Sequence, residues 1–116
     1  MKLFQWFRRT PPRGIHAGEA ATRWASTRFA AHLQPIAAYV AEVLGEQVGV
    51  DLSTIEPTST FLIDLRMDDL EPDEFVMALE EDLGIEIPDK DCAHLDTVSA
   101  MVSYLYERLS LNARNA

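Results

Sequence analysis

"RMDDLEPDEFVMALEEDLGIEIPD", residues 66–89, has the signals of a complete acidic helix and decides the fold. Asp69 is a good N-cap, because its carboxylate can accept hydrogen bonds from the exposed N–H groups at a helix start. Pro72 then falls in the first turn, where no intrahelical hydrogen bond is lost, and the acids after it favour the positive end of the helix dipole. Gly84 is a natural C-cap. The stretch therefore predicts one helix that starts at Asp69 and stops at Gly84.

This predicted helix has two different faces. At 100° per residue, one face is apolar and should be buried, and it consists of Phe75, Val76, Leu79 and Leu83. Met77 points the opposite way, between acidic side chains. One interpretation is a solvated charged face with a stray methionine; the other is a docking face, where a soft apolar centre meets a basic partner. The predicted partner-binding residues are Asp68, Asp73, Glu74, Met77, Glu80 and Glu81.

Three further helical segments are predicted around this one. Pro35 suits a first turn, and the helix after it should run to about residues 45–48, with a buried stripe of Ile36, Tyr39, Val40, Val43 and Leu44. A long connection follows, pinned to the core by Leu52, Ile55, Phe61 and Leu65. A short helical turn should cover 90–95, and Asp96 or Thr97 should cap a last helix with a buried stripe of Val98, Met101, Val102, Leu105 and Leu109. The expected fold is all-α, a small helical bundle with one long crossover.

Length and composition exclude several classes of protein. The 116 residues fit one small domain, and no apolar run approaches the ~20 residues that span a bilayer. The single cysteine, Cys92, rules out an internal disulfide and suits a reducing compartment, so we predict a cytoplasmic protein. His16, His32 and His94 are too far apart to match a metal-ligand spacing, so no metal site is expected.

The net charge of −9 is divided unevenly along the chain. Residues 1–35 hold six basic residues and one acid, a balance of +5, whereas residues 36–116 hold four basic residues and 18 acids, a balance of −14. This asymmetry predicts a basic N-terminal extension over 1–35, a helical domain over 36–110 and a disordered tail over 111–116. The acidic part should repel nucleic acid and anionic membranes and attract basic protein surfaces.

Four ordered blocks of the acidic part resemble acyl carrier proteins. They are "VLGEQVGV" (43–50), "FLIDLRMDDL" (61–70), "EFVMALEEDLGIEIPDKD" (74–91) and "LDTVSAMVSYL" (95–105). The resemblance covers about residues 36–109 and implies three main helices, one short helix and a long first connection. It also implies a site, because the second helix of that family begins Asp-Ser-Leu and the serine hydroxyl is esterified with phosphopantetheine.

The sequence departs from the family at this site. The triplet here is Asp68-Asp69-Leu70, and attack of a carboxylate on phosphorus would give a labile mixed anhydride rather than a phosphodiester. The nearest hydroxyls upstream, Ser59 and Thr60, are predicted to lie on the loop. Arg66 is a second departure, since the family usually has glycine there, and two neighbouring departures favour a divergent natural member over one engineered change. We therefore expect no cofactor, with Asp69 unmodified at the attachment position.

The N-terminal segment lies outside the resemblance. Its first residues mix aromatic and basic side chains and fail as a signal peptide, although an Arg-rich, acid-poor segment is also typical of a mitochondrial transit peptide. Ala21, Ala25, Phe29 and Leu33 at four-residue steps predict an additional amphipathic helix near 20–34. Three interpretations are open for this arm: a flexible basic tail, contact with an anionic membrane, or packing against the acidic domain. We expect the last, with the arm hindering access to Met77.

Two main functions follow from these patterns. The first is a non-enzymatic protein-interaction module that keeps the acidic docking helix without the prosthetic group. Its implied partner is a basic protein surface, of the kind a fatty-acid or polyketide-type synthase component presents, and we expect a monomer. The alternative is a functional acyl carrier of fatty-acid or polyketide-type biosynthesis, as a mutated copy or with a non-standard attachment. An enzyme ranks third, because no Ser/His/Asp or Cys/His constellation is present.

Overall fold

The computed structural model describes residues 17–61, 64, 65, 67 and 71–115, without the side chains of 48, 71 and 112–115. The helices in chain order are α1 Glu19–Ser26, α2 Gln34–Val48, α3 Glu71–Leu83, α4 Asp89–Cys92 and α5 Val98–Asn115. Two short 3₁₀ turns, Ala31–Leu33 and Leu52–Thr54, lie between α1 and α2 and between α2 and α3. The fold is the small all-α bundle that the sequence predicts, and no described helix is long and apolar enough to cross a membrane.

Helix α2 is the centre of the core. Pro35 lies in its first turn, and Gly49, with φ +79°, ends it in the left-handed conformation that glycine adopts without strain. The predicted stripe is buried in full, but so are Ala37, Ala38 and Ala41. The burial extends around the helix because α1, α3 and α5 all pack against it. The sequence pattern predicted one buried face and the structure buries nearly the whole circumference.

Helix α1 is shorter than the helix predicted near 20–34. It ends at Ser26, where the Ser26 and Thr27 hydroxyls donate to the carbonyls of Arg23 and Trp24 and compete with the backbone ladder. Phe29 is only partly buried, and it lies beyond the helix. The residue that the four-residue pattern missed is Trp24, which is 6% exposed and belongs, with Ala21 and Ala25, to the same hydrophobic core as the other helices.

Helix α3 buries a face slightly different from the predicted one. Phe75 and Leu79 are buried as expected, whereas Val76 and Leu83 are only partly buried. The remaining positions of the buried row are Ala78 and Asp82. A pattern of large apolar residues could not include these two, because one is small and the other is charged, yet they share the i, i+3, i+4, i+7 spacing that faces α2.

The helix ends confirm most of the predicted signals. Gly84 has φ +67°, and its N–H and that of Ile85 both donate to the Glu80 carbonyl. Thr97 caps α5, since its Oγ1 accepts from the backbone N of Ala100 at 3.1 Å. The α5 stripe is buried except for Leu109, which is partly buried.

Two boundaries differ from the prediction. Helix α5 runs to Asn115, so residues 111–115 are helical where we expected a disordered tail. The sequence after residue 97 contains no glycine or proline that could stop the helix. The short helix α4 begins at Asp89 and ends at Cys92, earlier than the 90–95 that the pattern indicated.

Candidate functional site

The long connection before α3 is held against the start of α5. The backbone N of Phe61 donates to the Asp96 carbonyl at 3.1 Å, and the N of Val98 donates to the Ser59 carbonyl at 3.1 Å. A single β-bridge pairs Thr60 with the residue that caps α5. The connection is also anchored by buried side chains, as predicted for three of them: Ile55, Phe61, Leu65 and, in addition, Met67.

Both hydroxyls upstream of α3 are used within this connection. Ser59 is buried, and its Oγ accepts from the backbone N of Glu56 at 2.9 Å. Thr60 Oγ1 donates to Asp64 Oδ2 at 3.1 Å and accepts from the Asp64 backbone N at 3.2 Å. The same carboxylate oxygen accepts from the Thr60 backbone N at 2.8 Å. These hydroxyl groups stabilise the loop conformation.

Four residues of the predicted attachment site, Arg66, Asp68, Asp69 and Leu70, lie outside the described residues. The capping of the helix by Asp69 therefore stays a prediction. The described part of α3 begins at Glu71.

The outer face of α3 carries Met77, whose side chain is 50% exposed, as the helical period predicted. Asp73 and Glu81 on this face are exposed, and Glu74 and Glu80 are partly buried. Glu80 also has a structural role, because its Oε2 accepts from the backbone N of Ile87 at 2.7 Å. The described members of the predicted partner-binding set therefore form one acidic surface around an exposed thioether.

An apolar groove of about 440 Å³ lies beside this surface. Its rim carries the carboxylates of Asp73, Glu80 and Asp89. The sequence analysis did not predict this groove, because its walls come from the connection, α3, α4 and α5 and meet only in the folded chain. The other residues of this groove are Phe61, Pro72, Phe75, Val76, Met77, Ile87, Cys92, Leu95 and Met101.

Cys92, which lies in the wall of this groove, is a poor nucleophile. Burial raises the pKa of its thiol, and the negative charges of Asp89 and Glu80 raise it further. Its Sγ lies 3.8 Å from the Ile87 carbonyl oxygen. Because the thiolate is the reactive form, this environment disfavours covalent chemistry at Cys92. Among the described residues, no group of three or more His, Cys, Asp or Glu side chains could hold a metal ion.

A polar cluster fixes the α4 side of the groove to α5. The Tyr104 hydroxyl donates to Asp91 Oδ2 at 2.6 Å, and Arg108 donates to the Tyr104 oxygen and to the Glu86 carbonyl, both at 2.7 Å. Burial raises the pKa of Tyr104, and the hydrogen bond to Asp91 raises it as well, against the opposing effect of Arg108. Tyr104 therefore stays a neutral donor, and the cluster is a structural clamp.

The N-terminal helix α1 contacts the connection, not the Met77 surface that we expected it to cover. Trp24 Nε1 donates to the Ile55 carbonyl at 2.9 Å in a buried hydrogen bond. Arg28 stacks over the Trp24 ring at 5.3 Å, and its Nε lies 3.5 Å from a Glu56 carboxylate oxygen. In the described part of the arm, α1 lies against α2 and this loop, and Met77 remains half exposed.

Helix order, long connection and acidic α3 together define a carrier-type helical domain. The family model described as "Phosphopantetheine attachment site" matches residues 38–105, more than half of the chain. The chain belongs to this family, and the resemblance to acyl carrier proteins is confirmed. Helix α1 precedes the matched residues.

Proposed function

We propose that this chain is a non-enzymatic, carrier-like interaction module that docks to partners through the acidic face of α3 and carries no phosphopantetheine. The observation that carries the proposal is the half-exposed Met77 within an acidic surface. In this proposal the partner-binding residues are Asp68, Asp73, Glu74, Met77, Glu80 and Glu81, and Asp69 takes the position of the attachment serine.

The chemistry of this surface indicates the kind of partner. Carboxylates of one sign steer a basic surface into place and set its orientation, while an apolar contact supplies burial. A methionine at the centre suits this role, because its flexible thioether adapts to the opposing pocket. Members of the family act with synthase components, so a basic patch on a fatty-acid or polyketide-type synthase component is the proposed partner.

Two observations support the absence of the prosthetic group. A carboxylate at residue 69 cannot form the stable phosphodiester that a serine forms. The neighbouring hydroxyls offer no ready substitute, because Ser59 is buried and bonded to the Glu56 backbone and Thr60 is bonded to Asp64. Attachment at either residue would require the connection to leave its observed conformation.

The groove supports the alternative function, a working acyl carrier. A volume of about 440 Å³ lies within the usual range for small-ligand sites, and its walls are mainly apolar. A chain held there would need an attachment at some residue other than Asp69. We rank this alternative second, because no described side chain beside the groove combines exposure with a reactive hydroxyl or thiol.

The test is the intact mass of the full chain after incubation with coenzyme A and a broad-specificity phosphopantetheinyl transferase. We expect the unmodified mass, because residue 69 offers no hydroxyl. The matched control is Asp69→Asn, which removes the charge without adding a hydroxyl and should also stay unmodified.

An increase by one phosphopantetheine in the wild-type chain would overturn the proposal and favour the working carrier. Peptide mapping would then locate the attachment, and Ser59 and Thr60 are the first positions to inspect.

A further inference from the structure

We propose that residues 2–9 of this chain, KLFQWFRR, bind the apolar groove beside α3 and cover Met77, so that the chain inhibits its own docking face. This inference rests on the proposed function, because it concerns regulation of the same surface. The contact involves residues 2–9 and not helix α1, because α1 packs against α2 and the connection.

The groove defines what its occupant must offer. The floor and walls are apolar, with aromatic rings from Phe61 and Phe75 lying 5.4 Å apart. Asp73, Glu80 and Asp89 place carboxylates at the rim. A segment that fits must therefore bring apolar side chains for the interior and cations for the edge.

The N-terminal segment has both features within eight residues. Leu3, Phe4, Trp6 and Phe7 are apolar or aromatic, and Lys2, Arg8 and Arg9 are basic. The first acidic residue of the chain is Glu19, so nothing in the segment repels the rim. The volume of about 440 Å³ suits aromatic side chains rather than a whole folded element.

The chain is long enough for this contact. Gly18 is anchored, since its backbone N donates to Glu42 Oε1 at 2.8 Å. Nine residues separate Phe7 from Ala17, and the ten residue-to-residue steps between them span up to ~33–36 Å when extended. That reach is comparable with the longest dimension of the molecule, 36 Å. Tethering also gives the segment a high effective concentration at the groove.

The experiment follows the methionine methyl groups of the full chain by NMR at low salt. Trp6→Ser with Phe7→Ser removes the two ring systems nearest the basic pair, and Gln5→Ser with Thr10→Ser is the matched control. We expect the Met77 methyl resonance to move in the first variant and not in the control, because the ring currents are lost. Met67, which is buried and does not line the groove, serves as the internal reference.

Charge supplies a second readout. Arg8→Glu with Arg9→Glu should move the Met77 resonance in the same direction as the aromatic variant. Raising the salt should also move it, since screening acts over ~8–10 Å at physiological ionic strength.

Three results would overturn the inference. Met77 resonances that are identical in all variants would show that the segment does not reach the groove. A shift that depends on protein concentration would assign the contact to a second copy. Binding of the segment to anionic phosphatidylglycerol vesicles, with no variant-dependent change at Met77 in their absence, would assign it to a membrane. None of these results bears on the mass measurement, so the proposed function can stand when this inference fails.

Discussion

Helices α1 and α3 both pack against α2, but they differ in whether all of their large apolar side chains are buried. Helix α1 buries its largest residue, Trp24, and forms a hydrogen bond to the connection. Helix α3 buries Phe75 and Leu79 and leaves Met77 half exposed. The phase of a side chain relative to α2, rather than its hydrophobicity, decides which of them becomes core and which remains available to a partner.

The comparison also separates charge from burial as the cause of α1 docking. A +5 segment beside a −14 domain suggests an electrostatic contact. The described contacts between them include the burial of Ala21, Trp24 and Ala25 and the hydrogen bond from Trp24, beside one ion pair from Arg28 to an exposed Glu56 at 3.5 Å. Such surface pairs contribute ~0–1 kcal/mol, less than the burial of an indole ring. The charge asymmetry therefore marks the N-terminal segment as a separate part of the chain, but it does not explain why α1 packs against the domain.

The largest expected effect is at Trp24. Trp24→Ala removes the ring from the core and should lower the free energy of unfolding by ~3–5 kcal/mol, measured by urea denaturation. Trp24→Phe is the matched control, because it keeps most of the ring and loses the hydrogen bond to Ile55. Leaving that carbonyl without its partner should cost ~1–3 kcal/mol. A loss below ~1 kcal/mol for Trp24→Ala would mean that α1 is dispensable to the core.

The next prediction compares the stability effects of truncating a buried and an exposed residue of α3, Leu79 and Met77. Leu79→Ala should cost ~2–5 kcal/mol, because the residue is fully buried. Met77→Ala should change stability by less than ~0.5 kcal/mol, as is usual for an exposed position. Thermal or urea unfolding of the two variants measures the difference. If Met77→Ala unfolds the domain, the residue is structural and the docking face loses its central contact.

The smallest expected effect concerns the charges between α1 and the connection. Glu56→Gln removes the charge of the ion pair, leaves the stacking of Arg28 on Trp24 in place, and should cost ~0–1 kcal/mol in the same unfolding assay. Added salt should weaken the wild type toward the variant. A cost comparable with that of Trp24→Ala would restore electrostatics as the main cause of α1 docking.

The sequence predicted those parts of the fold that depend on local signals. Helical period, Pro35, Gly84 and Thr97 located α2, the end of α3 and the start of α5. It could not predict that Asp82 and Ala78 face the core, because that depends on how closely α2 approaches. The groove escaped for a similar reason, since its walls come from distant segments. The end of α1 escaped because a pattern of apolar residues does not register the hydrogen bonds of Ser26 and Thr27 to the preceding turn.

The candidate site residues also fall into two groups, those whose placement follows from local sequence signals and those whose placement depends on contacts in the folded chain. The exposure of Met77 followed from the period of one helix, whereas the engagement of Ser59 and Thr60 depends on their bonds with Glu56 and Asp64. Sequence alone placed these hydroxyls on a loop, and only the folded connection gives them partners.

The most direct test of the central claim is to restore the attachment chemistry at residue 69. The intact mass of Asp69→Ser, alone and combined with Arg66→Gly, is measured after incubation with coenzyme A and the transferase, beside the wild type. Stability should barely change, because serine and aspartate are both good helix caps. We predict that the wild type stays unmodified and that only the double variant gains phosphopantetheine efficiently, at residue 69. Ready modification of the single variant would show that Arg66 is incidental, and a folded double variant that stays unmodified would contradict the assignment of Asp69 to the attachment position.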